Sequence, residues 1–219
     1  MKKIIVFGCG NYAETLKYYI ECVADWEIVA YTYEYVEIDN QVFDGKPLVP
    51  FSKIEFAFPP SKYEFIIALG YTNMNQERKR IYSLIKEKGY EIPNLIHPTA
   101  ILNNAKIGDA NIILENVVFE PNAVLGNNNI IWSAALFGHN TNVGDHNHFA
   151  ACSLIAGNVK VGECCFLGNH STVKDGVTLA DFTLLGAGAY VSKDTLPYAA
   201  IVPARSVILE NHRSTDFFN

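Results

Sequence analysis

The stretch AVLGNNNIIWSAALFGHNTNVGDHNHF, residues 123–149, carries a large apolar side chain at every sixth position. The series continues in both directions without an insertion, and its sixteen members are Ile101, Ile107, Ile113, Phe119, Leu125, Ile131, Phe137, Val143, Phe149, Ile155, Val161, Leu167, Val173, Leu179, Leu185 and Val191. Small residues recur four positions later, for example at Ala123, Ala135 and Thr141. A fixed short period is typical of a solenoid whose repeats stack on one another. We therefore predict two inward-facing positions, one large and one small, in each unit.

A second period of 18 residues is superposed on the first. It places Gly-acid or Gly-Asn pairs at 108–109, 126–127, 144–145 and 162–163, followed by Ala180-Asp181. Three units per coil predict a triangular parallel β-helix of about five coils, in which each short strand pairs with its counterpart about 4.8 Å away. Four asparagines share this spacing and predict a stacked ladder at one corner, where Asn tolerates turn conformations; they are Asn104, Asn122, Asn140 and Asn158.

Residues before the repeat follow a different pattern. Apolar periodicity predicts strands at Lys3–Phe7, Glu27–Tyr31 and Phe65–Leu69, and helices at Tyr12–Val23 and Asn75–Lys88. Strand-helix alternation of this kind predicts a small parallel α/β domain, similar to half of a Rossmann fold. The chain then divides into an α/β domain at 1–92, a β-helix at 95–196 and a C-terminal tail at 197–219.

The first turn of the α/β domain has a Gly-x-Gly-x-x-Ala pattern, from Gly8 to Ala13, between a strand and a helix. Backbone N–H groups at such a turn can hold a pyrophosphate. The β-helix begins too soon to leave room for a second nucleotide-binding half, so the nucleotide of a sugar-nucleotide is favoured over NAD. A glycine turn that serves only tight strand-helix packing is the alternative.

Composition excludes several classes of function. The chain has 219 residues, 49% apolar and 18% charged, with a formal net charge of −6 and no basic run, which argues against nucleic acid as a partner. No apolar stretch approaches the roughly 20 residues that span a bilayer, so no membrane insertion is expected. The five cysteines have no metal-ligand or disulfide spacing. A reducing, cytoplasmic location is predicted.

The repeat residues resemble the hexapeptide-repeat acyltransferases, which are built from similar I-G-D-x-x-x units. The likeness extends to the exit of the helix, LGAGAYVSKDTLPYAAIVPARSV at 185–207. It implies a left-handed β-helix, acetyl-CoA as donor, and a homotrimer with active sites between neighbouring helices. A small α/β domain in front of such a helix resembles the subgroup that acetylates nucleotide-linked amino sugars and sialic acids.

That resemblance assigns candidate substrate-binding residues, which are Gly8, Gly10, Asn11, Tyr12, Tyr33 and Glu34. Tyr12 stands where the subgroup has a histidine in its glycine-rich turn. Tyr33 and Glu34 stand where the subgroup has acidic residues after its second strand. Because of these departures, no specific substrate can be carried over from the subgroup.

Acetyl transfer needs a group that takes the acceptor's proton, and neutral imidazole suits that task near pH 7. Among six histidines, His139 lies where the family has its base, and His148 matches a family histidine beside the thioester. A solvent-facing corner histidine is the alternative for His139. The other candidates for binding acetyl-CoA are Gly157, Gly186 and Ala187, which let pantetheine approach the backbone, and Arg205, a phosphate donor.

Asn140 stands where the family has an acid after the base. An Asn carbonyl can hold the imidazole tautomer but cannot stabilise imidazolium as a carboxylate does. A weaker base favours an amine acceptor over a hydroxyl, although Asn140 also continues the Asn ladder. We therefore predict an acetyl-CoA-dependent N-acetyltransferase for a nucleotide-linked amino sugar in bacterial surface-glycan biosynthesis.

Two alternatives remain open from sequence. One is a sugar O-acetyltransferase of the sialic-acid type, and the other is a non-catalytic trimeric binding scaffold. A carbonic-anhydrase class uses the same β-helix with three zinc-binding histidines, but no histidine pair in this chain has that class's spacing, so we predict no metal.

Overall fold

The N-terminal region is a small twisted sheet flanked by helices. The computed structural model describes residues 1–34, 41–206 and 215. Its strands are β1 (Lys3–Phe7), β2 (Glu27–Tyr33), β3 (Gln41–Phe43), β4 (Lys46–Pro50) and β5 (Glu64–Ile67), in the spatial order β3-β4-β2-β1-β5. All neighbours are parallel except β3 and β4, which are antiparallel. The three predicted strands are present. β3 and β4 were not predicted, because Pro47 and Pro50 hide the strand signal.

Helices cover both faces of this sheet. They are α1 (Asn11–Lys17), which continues into a π-helical segment (Tyr18–Val23), α2 (Ile54–Ala57), preceded by a 3₁₀ turn (Phe51–Lys53), and α3 (Gln76–Glu87). Alternate residues of β1 face opposite layers: Ile4 packs with Leu16 of α1, whereas Ile5 packs with Ile81 of α3. After α3, Gly89 turns the chain with φ +82°, a conformation that favours glycine at a helix end.

The remaining chain winds into a parallel β-helix with three faces. Face 1 contains β7 (Lys106–Ile107), β10 (Val124–Leu125), β13 (Asn142–Val143), β16 (Lys160–Val161) and β19 (Thr178–Leu179). Face 2 contains β6 (Leu95–Ile96), β8 (Ile112–Ile113), β11 (Ile130–Ile131), β14 (His148–Phe149), β17 (Phe166–Leu167), β20 (Leu184–Leu185) and β22 (Ala200–Ile201). Face 3 contains β9 (Val118–Phe119), β12 (Leu136–Phe137), β15 (Leu154–Ile155), β18 (Thr172–Val173) and β21 (Tyr190–Val191).

Strand pairing follows the predicted 18-residue register through most of the helix. Val124 pairs with Asn142, and Asn142 with Lys160. The large apolar series is buried from Ile113 onward, as are small residues of the second series such as Ala135 and Thr141. The triangular β-helix predicted from the two periods is confirmed.

The first coil departs from the prediction. Leu95 pairs with Ile112, 17 residues away, and Ile101 bridges to Val118 rather than to Phe119. A register shift of one residue moves a strand's side chains to the opposite face. Ile101 is consequently 53% exposed, while Leu102 packs against the core. The expectation that Ile101 opens the inward series was wrong.

Helix α3 holds the α/β region against the corner between faces 1 and 2. Tyr82 Oη donates to Asp109 Oδ1 at 2.6 Å, and Lys79 Nζ pairs with Glu163 Oε2 at 2.7 Å. The fully buried Arg78 donates to carbonyls of both regions; these are Ile67 (2.6 Å), Leu69 (3.3 Å), Ala110 (3.3 Å) and Asn128 (3.4 Å). Its burial lowers the pKa of the guanidinium to about 10. The α/β region is thereby fixed beside face 2.

None of the helices within 1–34 and 41–206 combines the length and apolar character needed to cross a bilayer.

Candidate functional site

His139 lies at the corner between faces 3 and 1, directly after β12. Its side chain is exposed, while its backbone is fixed on both sides. The His139 N–H donates to Glu120 Oε2 at 2.8 Å, and the His139 carbonyl accepts from the Asn158 N–H at 2.8 Å. The corner therefore presents an imidazole to solvent from a rigid backbone.

Asn140 continues the predicted Asn ladder, and the ladder has a defined direction. Asn104 Nδ2 donates to Asn122 Oδ1 (3.0 Å), Asn122 Nδ2 to Asn140 Oδ1 (3.3 Å), Asn140 Nδ2 to Asn158 Oδ1 (3.3 Å) and Asn158 Nδ2 to Asp175 Oδ2 (3.4 Å). Both ends fix this direction. The Asn122 backbone N–H donates to Asn104 Oδ1 at 2.8 Å, and an ionised carboxylate at Asp175 only accepts.

This direction decides which atom of Asn140 faces the histidine. Asn140 Nδ2 lies 3.1 Å from His139 Nδ1. An amide N–H needs an acceptor, so the lone pair of the neutral ring is on Nδ1 and its proton is on Nε2. The expectation that the Asn140 carbonyl holds the ring was wrong, because the ladder uses that carbonyl and one N–H of the amide, which leaves the second N–H for His139.

Gly157 lies one coil beyond His139 and leaves space for its ring. A Cβ at Gly157 would lie 2.6 Å from His139 Nε2 and 2.8 Å from Asp175 Oδ2. Both distances are shorter than real Cβ atoms show, so a side chain at Gly157 would displace both groups. Glycine is required here by close approach, next to the candidate base.

His148 lies in β14 on face 2 and lines a cavity between the β-helix and the α/β region. The cavity measures about 380 Å³, and its aromatic walls are Tyr12, Tyr71, Trp132, His148 and Phe166. The His148 ring stacks on Phe166 with a centroid separation of 5.2 Å, and Tyr12 lies 5.9 Å from Trp132. Residues from both regions therefore build one aromatic pocket.

Two polar atoms in this aromatic wall are buried without a hydrogen-bond partner. They are the Tyr12 hydroxyl and His148 Nδ1. Burial, with a smaller contribution from the positive charge of Arg78, lowers the pKa of His148 to about 3, so the ring is neutral at pH 7. Burial also raises the pKa of Tyr12. A neutral imidazole and a neutral phenol thus line the cavity.

His139 and His148 do not meet within one chain. The corner between faces 3 and 1 is the corner opposite face 2, so the β-helix separates the exposed His139 from the cavity that His148 lines. The isolated subunit therefore does not bring the two histidines together.

In the glycine-rich turn, one glycine is required by packing and another faces an open surface. Gly8 has φ +124°, and a Cβ there would lie 2.7 Å from the Ala68 carbonyl oxygen, so packing alone requires that glycine. Gly10 is the N-cap of α1, and Asn11 is its exposed first residue. A Cβ at Gly10 would meet no other atom within 4 Å, so the surface above it is open.

The other residues predicted to bind the substrate or acetyl-CoA lie at separate places in the structure. Tyr33 packs on Phe7 with ring centroids 5.7 Å apart, and Glu34 accepts from Arg80 Nη1 at 2.9 Å. Gly186 and Ala187 form part of the corner between faces 2 and 3, and Arg205 is exposed beyond β22. Among the described residues, no three His, Cys, Asp or Glu side chains are grouped as metal ligands.

Sequence reasoning missed the aromatic residues Tyr71, Trp132 and Phe166. The sequence did indicate a place for Phe166 beside His148, because Phe166 lies 18 residues later and shares the same outward-facing column. Tyr71 follows β5 in the α/β region, and its approach to Phe166, at 4.9 Å between centroids, depends on how the two regions dock.

Several solved structures share this fold. No family model matches the chain. A histidine-to-asparagine mutant of perosamine N-acetyltransferase from Caulobacter crescentus, in complex with CoA and GDP-perosamine, is 22% identical with a TM-score of 0.82, covering 93% of this chain and 94% of that chain. The acetyltransferase domain of PglB from Neisseria gonorrhoeae FA1090, in complex with acetyl coenzyme A, is 21% identical with a TM-score of 0.79, covering 92% and 96%.

WeeI from Acinetobacter baumannii AYE is 15% identical with a TM-score of 0.75, covering 93% of this chain and 97% of that chain. These likenesses span nearly the whole of each chain. The chain has the fold of a left-handed parallel β-helix preceded by a small α/β region.

Proposed function

We propose that the protein is an acetyl-CoA-dependent N-acetyltransferase that acts on a nucleotide-linked amino sugar. The observation that carries the proposal is His139, an exposed imidazole on a rigid corner whose ring lies where a side chain at residue 157 would displace it. The fold supports it, because perosamine N-acetyltransferase, solved with CoA and GDP-perosamine, shares it over 93% of this chain. Such a reaction would serve bacterial surface-glycan biosynthesis in the cytoplasm.

The aromatic cavity on face 2 suits the sugar of the acceptor. Trp132 and Phe166 offer apolar faces for a pyranose ring in the cavity that Tyr12 and His148 also line. Tyr12 ends the glycine-rich turn, so the turn at Gly8–Tyr12 would hold the diphosphate next to this cavity. Acetyl-CoA would run past Gly157, Gly186 and Ala187, with Arg205 near its phosphates.

A homotrimer would complete the site. Since His139 lies opposite the cavity of its own chain, a neighbouring subunit must supply the base to each cavity. A threefold arrangement would also cover apolar side chains that are exposed in the isolated chain, including Leu196 (79% exposed) and Tyr198 (72% exposed).

Attack by the free amine requires one proton transfer at His139. The amine nitrogen bonds to the acetyl carbon, the C–S bond breaks, and coenzyme A leaves as a thiolate. The proton released by the nitrogen passes to the imidazole and then to solvent, and the thiolate takes up a proton to give the free thiol. Binding of the distant nucleotide holds the amine at the thioester, and the reaction is faster because the two groups are already positioned.

If two subunits build each active site together, two inactive variants should complement each other. We expect His139→Ala trimers and Trp132→Ala trimers each to acetylate poorly. In each co-expressed mixed trimer, one of the three sites combines an intact His139 with an intact neighbouring cavity and regains activity. Tagged mixed trimers assayed for coenzyme A release measure this. Activity no greater than the sum of the two homotrimers would show that base and cavity come from one chain.

The function itself is tested by a panel of UDP-, dTDP- and GDP-linked amino sugars, including GDP-perosamine, assayed with acetyl-CoA. We expect rapid release of coenzyme A with one nucleotide-sugar and slow release with its hydroxyl counterpart. Faster release with hydroxyl acceptors would make the protein an O-acetyltransferase. Failure to bind acetyl-CoA by calorimetry would leave only the non-catalytic scaffold.

A further inference from the structure

His139, Gly157 and Asp175 form one column of the β-helix. They are spaced by 18 residues and so lie at the same corner on three successive coils. Coils stack about 4.8 Å apart, which separates the backbones of His139 and Asp175 by about 10 Å. Their side chains can approach each other only because the residue between them has none.

The two side chains converge over Gly157 without bonding to each other. His139 Nε2 and Asp175 Oδ2 lie 2.6 Å and 2.8 Å from the position that a Gly157 Cβ would occupy. Within the described part of the chain, no hydrogen bond or ion pair joins them. A ring nitrogen and a carboxylate oxygen therefore approach the same point above the Gly157 backbone.

Asp175 carries a negative charge with little compensation. Its one hydrogen bond among the described residues comes from Asn158 Nδ2 at 3.4 Å, and no cationic side chain in that part of the chain lies within ion-pair distance. A carboxylate with free lone pairs is a strong acceptor for an ammonium group.

Because of the hydrogen bond from Asn140, His139 alone offers an ammonium group no hydrogen-bond acceptor at Nε2. With Asn140 Nδ2 on Nδ1, the neutral ring presents an N–H at Nε2, which cannot accept a hydrogen bond. Asp175 is the acceptor on the other side of the same space. The carboxylate that Asn140 lacks is thus present two coils further along the helix.

We propose that Asp175 binds the ammonium form of the acceptor's amine over Gly157 and places it against His139 Nε2. This inference rests on the proposed function. An ammonium N–H aimed at Nε2 favours the ring tautomer with its lone pair there; Nδ1 then carries a proton, so Asn140 gives up its contact with the ring and keeps its ladder bond to Asn158. His139 takes one proton from the ammonium and passes it to solvent before the free amine attacks, and the proton that the nitrogen loses on acylation then passes to the same imidazole. Asp175 is then a substrate-binding residue that selects amines over hydroxyls.

The test compares Asp175→Asn with the wild-type trimer by calorimetry at pH 7 without acetyl-CoA. The probe is the panel member that the wild type acetylates fastest, and the control ligand is the same nucleotide without its sugar. We expect the Kd of the amino-sugar nucleotide to rise at least about tenfold in Asp175→Asn, as for a lost charged hydrogen bond. The Kd of the bare nucleotide should not change, and Asp175→Glu should recover part of the affinity.

Asp181→Asn is the matched control, because Asp181 Oδ1 accepts the Glu163 N–H at a different corner. It should leave both affinities unchanged. An unchanged Kd for the amino-sugar nucleotide in Asp175→Asn would overturn the assignment of Asp175 while the proposed function stands. Equal losses for both ligands would also overturn it. A wild-type protein that acetylates no amino sugar would instead refute the proposed function.

Discussion

Replacing His139 by Ala is expected to lower the turnover number by about 10²-fold to 10⁴-fold, the usual cost of losing a general base. The fold should survive, because the hydrogen bonds that fix this corner involve the His139 backbone rather than its ring. Binding of acetyl-CoA and trimer formation should be unchanged. Steady-state kinetics between pH 6 and 9, with light scattering and calorimetry on the same samples, measure all three.

His170→Ala is the matched control for this variant, since His170 is also an exposed corner histidine but lies between faces 2 and 3. It should retain wild-type turnover. Near-normal turnover of His139→Ala across the same pH range would remove His139 as the base and with it the main support for the proposed function.

Replacing Gly157 by Ala is expected to lower turnover by about 10²-fold, because the new methyl group must push His139 and Asp175 aside. A displacement of about 1 Å at a reacting group is enough for such a loss. The atoms that a Cβ would meet are the ends of two exposed side chains, at 2.6 Å and 2.8 Å, so stability should fall little. Turnover and the thermal unfolding midpoint of the trimer are the measurements.

Gly162→Ala should show the opposite pattern. A Cβ at Gly162 would collide with Asp181 Oδ1 and lie 2.8 Å from the Asp181 backbone nitrogen, in a ladder that holds the coils together. It should lower the unfolding midpoint more than Gly157→Ala does, while the folded protein keeps its turnover. If both variants lost stability and activity in parallel, Gly157 would be a structural glycine and not part of the site.

The β-helix could be predicted from sequence because its inward positions are set by a strict local rule. A coil interior accepts only large apolar residues such as Phe137 and Phe149 at one site and small ones at the other, so the rule appears directly as a period. The prediction failed at Ile101 because the first coil is one residue shorter than the rest, and a register shift leaves no mark in the period itself.

The candidate site was predicted less completely. His139 and Asn140 were found through resemblance, but the atom of Asn140 that faces the ring depends on a hydrogen-bond chain that runs to Asp175. Asp175 had a signal, since it lies 36 residues after His139, which is twice the coil period. The nine-residue spacing between His139 and His148, half a coil, likewise indicates opposite sides of the helix.

The cavity was beyond sequence reasoning because two regions build it. Its walls combine Tyr12 and Tyr71 with Trp132 and Phe166, and their meeting depends on how α3 docks on the β-helix through Arg78. A long-range arrangement of this kind has no local pattern in the chain.

The most direct test of the central claim is the structure of the product. The wild-type protein would be incubated with acetyl-CoA and the acceptor selected by the panel, and NMR would locate the new acetyl group. We expect an amide on the sugar's nitrogen, formed by the wild type and far more slowly by His139→Ala. An ester on a sugar hydroxyl, or no acetylated nucleotide-sugar with any acceptor, would contradict the proposed function.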